Sequence, residues 1–550
     1  MVGPFFIYLI SALFIVWIFA FTAYFIKKKR QKKLLTQIRE DWAKRKTESS
    51  NFNLIENFSL LTTTIPFHKL TQQTINDVDI HEVFTFIDRA NSKPGQQYLF
   101  NKLITPTNSI TALEKYNEQV KFFTENIPAR EDAQLQLAPL NHHDAYYITN
   151  LLQDKLLEKP KWANLFIADT LIVITMLFLS VKFHVLLIWL MLPFALNLFF
   201  HYWNKKNTGK FTKSFPQLNT LINVSKLFIK KDLPFEKTNV QQSINSLKIF
   251  QRKFKLLDFG ETDKNDITQI LLLVLDLIKA FFLIEIHTFF STLKELKNKR
   301  EDINNLINYI GSIDAALSTA SLRSGISKYS TPTFINQKKE LTTKNLYHPL
   351  IADCVPNSIA IKDKSILITG SNMSGKSTFI RAVAINSILA QTIYTCFADE
   401  FITPVLKVFS SVRITDNLLD AKSYYFEEVN VIGSLIKESE NPFQNIFILD
   451  EVFKGTNTIE RVAAAKAILS YLNKNENIVL VSTHDIELAE LLKNEFDLYH
   501  FVEDIANDNL VFDHQLKAGT LKSRNAIKIL ALSNYPSQII DEAKTIANKN

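Results

Sequence analysis

The chain has 550 residues, a formal net charge of +8, 47% hydrophobic residues and two cysteines. This length favours several domains over one. Cys354 and Cys396 are too few for a disulfide framework and lack the spacing of a metal site, which fits a reducing cytosol. The mild positive charge permits nucleic acid or anionic lipid as a partner but establishes neither, because the cluster Lys27–Lys33 accounts locally for most of the excess.

An uncharged apolar run extends from Pro4 to Ile26 and is followed at once by the basic cluster Lys27–Lys33. The run is long enough to cross a hydrocarbon core of about 30 Å. The basic cluster after it predicts an N-terminus outside and the remaining chain in the cytoplasm. A cleaved signal peptide is the alternative, which we disfavour because the charges follow the run. We therefore predict an anchor over residues 1–33 and a linker over residues 34–65.

A second apolar block runs from Ala163 to Trp203 and is interrupted near Lys182 and His184. Lysines flank both of its ends, so both ends are expected on the cytoplasmic side. We predict a transmembrane helical hairpin over residues 161–206. A pair of buried core helices is the alternative.

Helical periodicity on either side of this hairpin predicts all-α regions over residues 66–160 and 207–329. Within the second region the apolar block Ile270–Phe290 contains ionisable residues, which favour a packed or interfacial helix over another span. The chain is thus expected to contact a membrane through about three transmembrane helices. The ionisable residues of the block are Asp276, Lys279, Glu285 and His287.

A glycine-rich loop after an apolar run carries the strongest chemical signal. The run Ser365–Thr369 predicts a strand, and a helical pattern begins at Phe379. Between them the sequence fits G-x-x-x-x-G-K-S-T, in which backbone amides and a helix N-terminus cradle phosphates. The lysine can reach the β- and γ-phosphates of a nucleotide, and the following serine can hold Mg²⁺. The predicted nucleotide-binding residues are Gly370, Ser371, Asn372, Met373, Ser374, Gly375, Lys376, Ser377 and Thr378.

Two later strand ends supply acidic and imidazole groups. The buried-strand pattern Asn445–Leu449 ends in Asp450 and Glu451, and the pattern Ile478–Val481 leads to His484. Asp450 suits a Mg²⁺ ligand together with Ser377. Glu451 suits the base that orients the attacking water, and His484 suits a sensor of the γ-phosphate. We predict Glu451, His484 and Lys376 as catalytic residues.

The motifs in this order resemble the ATPase domain of the MutS mismatch-repair family. The resemblance rests on Asn372 and Met373 in the loop, on the Asp450-Glu451 pair with the Gly-Thr-Asn-Thr turn after it, and on the Thr-His strand end at His484. It implies an α/β P-loop ATPase domain of ABC or MutS type, with a mostly parallel sheet, over residues 330–550. The helical region before it resembles the lever of that family.

The resemblance also implies a homodimer with composite ATP sites, because the family has a serine that reaches the partner's nucleotide, here Ser423. The family usually places an aromatic residue near Cys354 to stack on adenine, and this chain departs from that pattern. Only about 40 residues separate the first span from the lever-like segment, so we expect the mismatch-recognition domain to be missing.

Two functions follow as hypotheses. The first is a membrane-anchored, Mg²⁺-dependent ATP hydrolase that binds DNA, in mismatch repair or on another DNA structure. The second is a membrane mechanochemical ATPase acting on a protein partner without DNA. An ABC transporter ATPase is disfavoured, because the interval between Lys376 and Asp450 lacks a Leu-Ser-Gly-Gly-Gln signature. The expected location is the bacterial inner membrane, with the ATPase domain facing the cytoplasm.

Overall fold

The protein divides into two compact units in a computed structural model. The model describes residues 3–61, 65–153, 164–251, 277–371, 373–413, 424–453, 457–506, 509–520 and 535–547. Unit 1 comprises Met1–Thr63, Asp88–Asn101 and Glu118–Gly325, and unit 2 comprises Thr64–Ile87, Lys102–Asn117 and Ile326–Asn550.

The described chain before Ile326 is built from helices and their connections. Its 3-10 helices cover Ala138–Asn141, His143–Leu152 and Lys297–Lys299. The α-helices in this part are α1 (Gly3–Asp41), α2 (Phe52–Ile55), α3 (Asn57–Leu61), α4 (Gln72–Asp77), α5 (Ile80–Ile87), α6 (Lys93–Ile104), α7 (Ile110–Glu125), α8 (Ile127–Leu137), α9 (Asn164–Ser180), α10 (Leu186–Trp189), α11 (Met191–Ile229), α12 (Thr238–Leu247), α13 (Ile284–Leu296) and α14 (Arg300–Gly325).

A buried carboxylate organises the centre of unit 1. Asp314 of α14 is fully buried, and burial raises the pKa of this carboxyl although its hydrogen bonds oppose the shift. It accepts hydrogen bonds from the backbone N–H groups of Asn91 and Ser92, both at 2.8 Å, and from the Ser92 hydroxyl at 2.6 Å. These donors precede α6, so the carboxylate ties the start of that helix to α14. Gly95 lacks the Cβ that would lie 2.0 Å from Asp314 Oδ2.

The predicted hairpin forms an exposed apolar surface on α9, α10 and the first part of α11. Its exposed side chains include Phe178, Trp189 and Met191. By length and composition, the stretch Leu186–Trp203 is the one helical stretch of the described chain that could cross a membrane.

The prediction of about three spans is not supported. The 17 residues of α9 extend about 26 Å, short of the roughly 30 Å of a hydrocarbon core. The predicted first span lies on α1, but most of its side chains up to residue 20 lie outside the described part.

The described residues 277–283, just before α13, pack against this hairpin. The described residues begin at 277, and the helix breaks at Leu283, whose φ is +47°. The break leaves backbone carbonyls to be satisfied by side chains. Asn197 Nδ2 donates to Phe281 O at 2.9 Å, and the Thr170 hydroxyl lies 3.3 Å from Phe282 O. The charged residues at 276, 285 and 287 lie outside the described side chains.

Unit 2 contains two sheets, and the predicted α/β domain after a helical region is thereby confirmed. The first sheet has the order β1-β5-β2-β3, and the second has the order β10-β9-β4-β8-β7-β6. The strands are β1 (Thr333–Phe334), β2 (Glu340–Leu346), β3 (Asn357–Lys362), β4 (Ser365–Thr369), β5 (Glu400–Thr403), β6 (Lys407–Ser411), β7 (Asn445–Asp450), β8 (Ile478–Thr483), β9 (Phe496–Ala506) and β10 (Asn509–Ala518). The helices are α15 (Lys376–Ala390), α16 (Tyr424–Ser439), α17 (Thr458–Leu472), α18 (Ile486–Leu492) and α19 (Ser537–Ala547).

The second sheet is parallel from β9 to β6, with β10 antiparallel at its edge. Strands β4 and β8 are buried along their whole length, which fits their unbroken apolar runs and the helices that cover both faces of parallel sheets. The register pairs Thr369 with Thr483 and Asp450 with Ser482. The ends of β4, β8 and β7 therefore meet at one edge of the sheet.

Unit 2 includes Thr64–Ile87, well before residue 330, and within this stretch α4 packs on β6. Asp77 of α4 is fully buried and accepts hydrogen bonds from the Ser410 hydroxyl at 2.7 Å and the Val412 N–H at 3.0 Å. His68 Nε2 lies 2.9 Å from Val408 O. Burial lowers the pKa of His68 to about 4, so it is neutral near pH 7 and can donate this bond.

We expect Asp314→Ala to lower the free energy of unfolding by about 3 kcal/mol, because four donors on Asn91 and Ser92 lose one shared acceptor. Thermal and denaturant unfolding of the protein in detergent measures the change. Glu301→Ala, an exposed acid in the first turn of the same helix, is the matched control. Equal stability of the two variants would contradict the assigned role of Asp314.

Candidate nucleotide site

The glycine-rich loop connects β4 to α15 and requires glycine at two positions. Gly370 and Gly375 have φ values of +150° and +114°, a region that L side chains rarely adopt. A Cβ at Gly370 would also lie 2.9 Å from Phe501 O. Gly375 stands directly before α15, so the loop directs the N-terminus of that helix at any anion held inside it.

Lys376 is fixed within this loop. Its side chain is buried, with 4% of the residue exposed. Nζ donates to Gly370 O at 2.8 Å and to Ser371 O at 2.7 Å. These two contacts hold the Lys376 ammonium inside the loop, in position to bind a polyphosphate that enters the loop.

Ser377 and Asp450 are in direct contact. The Ser377 hydroxyl donates to Asp450 Oδ2 at 2.6 Å, although the two residues are 73 positions apart. The Ser482 hydroxyl donates to Asp450 Oδ1 and fixes the other carboxylate oxygen. A hydroxyl and a carboxylate side by side form the hard oxygen set that Mg²⁺ prefers, with water and phosphate oxygens completing the coordination.

Glu451 and His484 meet at the same edge of the sheet. Glu451 has a φ of +56°, and its N–H donates to Ser482 O at 2.8 Å. This strained backbone turns the side chain away from the line of β7. Its Oε1 lies 3.2 Å from His484 Nδ1. Next to them, Arg461 Nη2 donates to Asp485 Oδ1 at 2.7 Å and secures the residue after His484.

A cavity of about 460 Å³ adjoins the loop. Glu451 lines it, whereas Asp450 and His484 do not line it but contact Ser377 and Glu451, which do. The loop residues that line it are Ser371, Met373, Gly375, Lys376, Ser377 and Thr378. The structure thus brings the predicted phosphate, metal and base residues together, and their catalytic roles stay predictions.

Two predicted residues, Asn372 and Ser423, lie outside the described part of the chain. Gly455 and Thr456 of the polar turn lie outside it as well. Met373 is described, and it is 83% exposed with a φ of +73°.

Cys354 does line the cavity, at the position where the resemblance leads us to expect an aromatic side chain. The His348 N–H donates to its Sγ at 3.4 Å. Burial, with a smaller contribution from the charge of Arg381, lowers the pKa of His348 to about 4. The imidazole that lines this side of the cavity is therefore neutral at pH 7.

Sequence reasoning missed His514, which lines the cavity from β10. Its Nδ1 lies 3.1 Å from Ser374 O in the loop. Asn357 holds this part of β10 from both sides, because Nδ2 donates to His514 O at 3.0 Å and Oδ1 accepts from Leu516 N at 2.7 Å. The register of β10 shifts between Phe512 and Leu516, and an irregularity of this kind has no signal in hydrophobic periodicity.

The residues present fit ATP and Mg²⁺. Ser371 Oγ is buried and has no hydrogen-bond partner among the described residues, so a polar group in the cavity would satisfy it. The two glycines leave room for the approach of a phosphate chain. Within the described residues no group of three or more His, Cys, Asp or Glu side chains could hold a metal ion, so a cation here would depend on Ser377, Asp450 and the phosphates.

We expect Lys376→Ala to weaken ATP binding about 100-fold, because two charge-assisted contacts with phosphate oxygens are worth about 3 kcal/mol together. Equilibrium binding of a fluorescent ATP analogue to the full chain measures the loss. Lys362→Ala, an exposed lysine on β3, is the control and should bind normally. Equal affinity of the two variants would contradict the placement of phosphates in this loop.

Comparison with known proteins agrees with this geometry. Residues 366–549 match the family described as MutS domain V. The DNA mismatch repair protein MutS of Pseudothermotoga lettingae is 32% identical over 271 residues, which cover 46% of this chain and 33% of that protein. The MutS proteins of Staphylococcus epidermidis and Thermotoga maritima are each 30% identical, covering 48% of this chain and 31% and 34% of their own lengths.

The match therefore spans about a third of the length of these relatives. The chain is similar to MutS proteins over about half of its own length, and its C-terminal residues 366–549 match the model of MutS domain V.

Proposed function

We propose that this protein binds ATP with Mg²⁺ and hydrolyses it as a homodimer, and that it couples this cycle to DNA at a membrane. The observation that carries the ATPase is the contact between the Ser377 hydroxyl and Asp450, beside the fixed ammonium of Lys376. It joins a phosphate cradle to an oxygen set for the metal, and Glu451 stands beside both.

Each residue has a distinct task in this reaction. The loop amides and Lys376 bind and orient the β- and γ-phosphates. Ser377 and Asp450 hold Mg²⁺, which offsets charge on the phosphate oxygens when bound. Glu451 orients the attacking water and accepts its proton, and His484 positions Glu451 through the 3.2 Å contact.

The family resemblance supports a dimer with composite sites. The segment around Ser423, which the family resemblance assigns to the partner's nucleotide, directly precedes α16. In the proposed dimer, Ser423 of one copy completes the site of the other.

DNA is the proposed substrate of the whole protein because the relatives are named as DNA mismatch repair proteins. The net charge of +8 is compatible with phosphate contacts.

The proposed location is the bacterial inner membrane, with the ATPase domain in the cytoplasm. The exposed apolar side chains of the hairpin support contact with lipid. The basic cluster Lys27–Lys33 supports a cytoplasmic position for the chain that follows the apolar run of α1.

The same apolar surface supports the second candidate, an ATPase that moves a protein partner at the membrane without DNA. Trp189 and Leu192, both more than half exposed, lie where a partner helix could pack as well as lipid. In this alternative the nucleotide cycle acts on the partner through the helical unit.

We expect Glu451→Gln to keep ATP binding and to lower hydrolysis at least about 100-fold, because the amide keeps the shape of the carboxylate but cannot accept a proton. Steady-state phosphate release and nucleotide binding, measured on the same preparation, separate the two effects. Glu460→Gln, in the first turn of α17, is the control. Normal turnover by Glu451→Gln would remove this residue from the role of base.

We expect the detergent-solubilised protein to retain duplex DNA at low salt, with an affinity that falls steeply as salt rises. Binding is measured with labelled homoduplex, mismatched and branched DNA, with ATP and without nucleotide. The Lys376→Ala variant tests whether retention depends on nucleotide. Absence of binding to all three DNAs, together with protein partners that co-purify after nuclease treatment, would favour the second candidate over the first.

A further inference from the structure

A second cavity, of about 450 Å³, lies in unit 1 where α1 ends. Its walls are the end of α1 with residues 44–48 after it, the turn at 89–91, Gln134 of α8, two residues of the following 3-10 helix, and Ser321 of α14. Its volume is within the range of small-molecule sites. None of the residues assigned to ATP binding lines it.

This cavity is built on fixed contacts. Arg39 makes a bidentate ion pair with Glu131 of α8, at 2.7 and 2.8 Å. The Arg130 guanidinium stacks 3.9 Å from the ring centre of Trp42, which itself lines the cavity. The Ala43 N–H donates to the Ser321 hydroxyl at 3.0 Å. The α1 end is thereby tied to two other helices, so the walls are ordered without a ligand.

The lining carries an excess of positive charge. Four cationic side chains, of Lys44, Arg45, Lys46 and Arg89, face two acidic ones, of Asp41 and Glu48. Lys46 is also paired with the buried Asp88 at 3.0 Å. The wall as a whole favours an anion.

Arg89 is the buried member of this set, with 9% of the residue exposed. Burial lowers the pKa of its guanidinium to about 10; Asp88 opposes this shift and the charge of Arg45 adds to it. Arg45 lines the same cavity as Arg89. An anion held between the two guanidinium groups would make a charge-assisted contact with each.

Gln134 supplies a second, independent observation. It lines the cavity, is 7% exposed, and donates from Nε2 to Asn91 Oδ1 at 3.0 Å. Its Oε1 is buried and has no hydrogen-bond partner among the described residues. A buried acceptor of this kind calls for a donor, such as a hydroxyl or amino group.

We propose that this cavity binds a small phosphate ester, whose phosphate meets Arg45 and Arg89 and whose hydroxyl or amino group donates to Gln134. Two sources share this chemistry. A nucleoside monophosphate would also use the Trp42 ring, whereas a glycerol phosphate headgroup would come from the membrane surface beside Lys27–Lys33.

The test uses the full chain in detergent with the Lys376→Ala substitution throughout, which is expected to weaken phosphate binding at the ATPase loop about 100-fold. The probes are AMP, glycerol 3-phosphate and inorganic phosphate, and binding is followed by calorimetry. Arg45→Gln and Arg89→Gln each remove one charge from the cavity. Lys32→Gln removes one charge from an exposed position on α1, outside the cavity, and is the matched control.

We expect at least one ester to bind more tightly than inorganic phosphate, and Arg45→Gln to weaken it about tenfold. Lys32→Gln should leave the affinity unchanged. Gln134→Met should weaken the ester but not inorganic phosphate, because only the ester carries a hydroxyl or amino group beyond its phosphate to donate to Gln134. Arg45 is exposed, so its variant tests the site even where Arg89→Gln disturbs folding.

Preference for AMP identifies a nucleotide site, and preference for glycerol 3-phosphate identifies a headgroup site; either result supports the proposal. Absence of binding by both esters at millimolar concentration would overturn it. Equal affinities of Arg45→Gln and Lys32→Gln would overturn it as well. Because phosphate binding at the ATPase loop is weakened in every sample, these outcomes are independent of the proposed hydrolysis.

Discussion

The parallel register of β4, β8 and β7 is the constraint on which the site depends. Parallel neighbours end at the same edge of a sheet, so the loop after β4, the acids after β7 and the imidazole after β8 converge without further guidance. The Ser377–Asp450 contact, across 73 positions of sequence, is the direct result. A slip of one residue would turn Asp450 to the other face of the sheet.

Backbone strain is found at the edge of the sheet where these parallel strands end. Positive φ values cluster where the chain leaves this edge, at Gly370, Met373, Gly375 and Glu451. Two of these residues are not glycine, and each unfavourable backbone conformation costs on the order of 1 kcal/mol or more. The fully buried strands on either side supply the stability that maintains them.

Local sequence signals were sufficient to predict the phosphate loop, the acidic pair and the strand before each of them. Each of these features is a short apolar run followed by turn residues. Local signals could not reveal that Asp77 satisfies the end of β6, since the two residues joined by its bond to Ser410 are 333 positions apart. The helical region predicted over residues 66–160 therefore includes residues that belong to unit 2. His514 was missed for the same reason: it gains significance only through the bulge that Asn357 stabilises.

Membrane contact depends on two properties of the helices: the length of their apolar stretches and the exposure of their apolar side chains. Sequence length alone suggested several spans, yet only Leu186–Trp203 meets the length and composition of a crossing helix in the described chain. The exposure of the apolar side chains favours membrane contact independently of helix length. Leaving a large apolar side chain in water forgoes about 1.5–3 kcal/mol of burial, and many of them adjoin along α9 and α11. Phe178 and Trp189 together would forgo several kcal/mol by this measure. A surface of this kind is stable when something apolar covers it, and lipid needs no shape complementarity to do so.

The hydrogen bonds that Asn197 and Thr170 donate to the carbonyls of Phe281 and Phe282, where the helix breaks, then gain importance. In an apolar environment water could not satisfy those carbonyls.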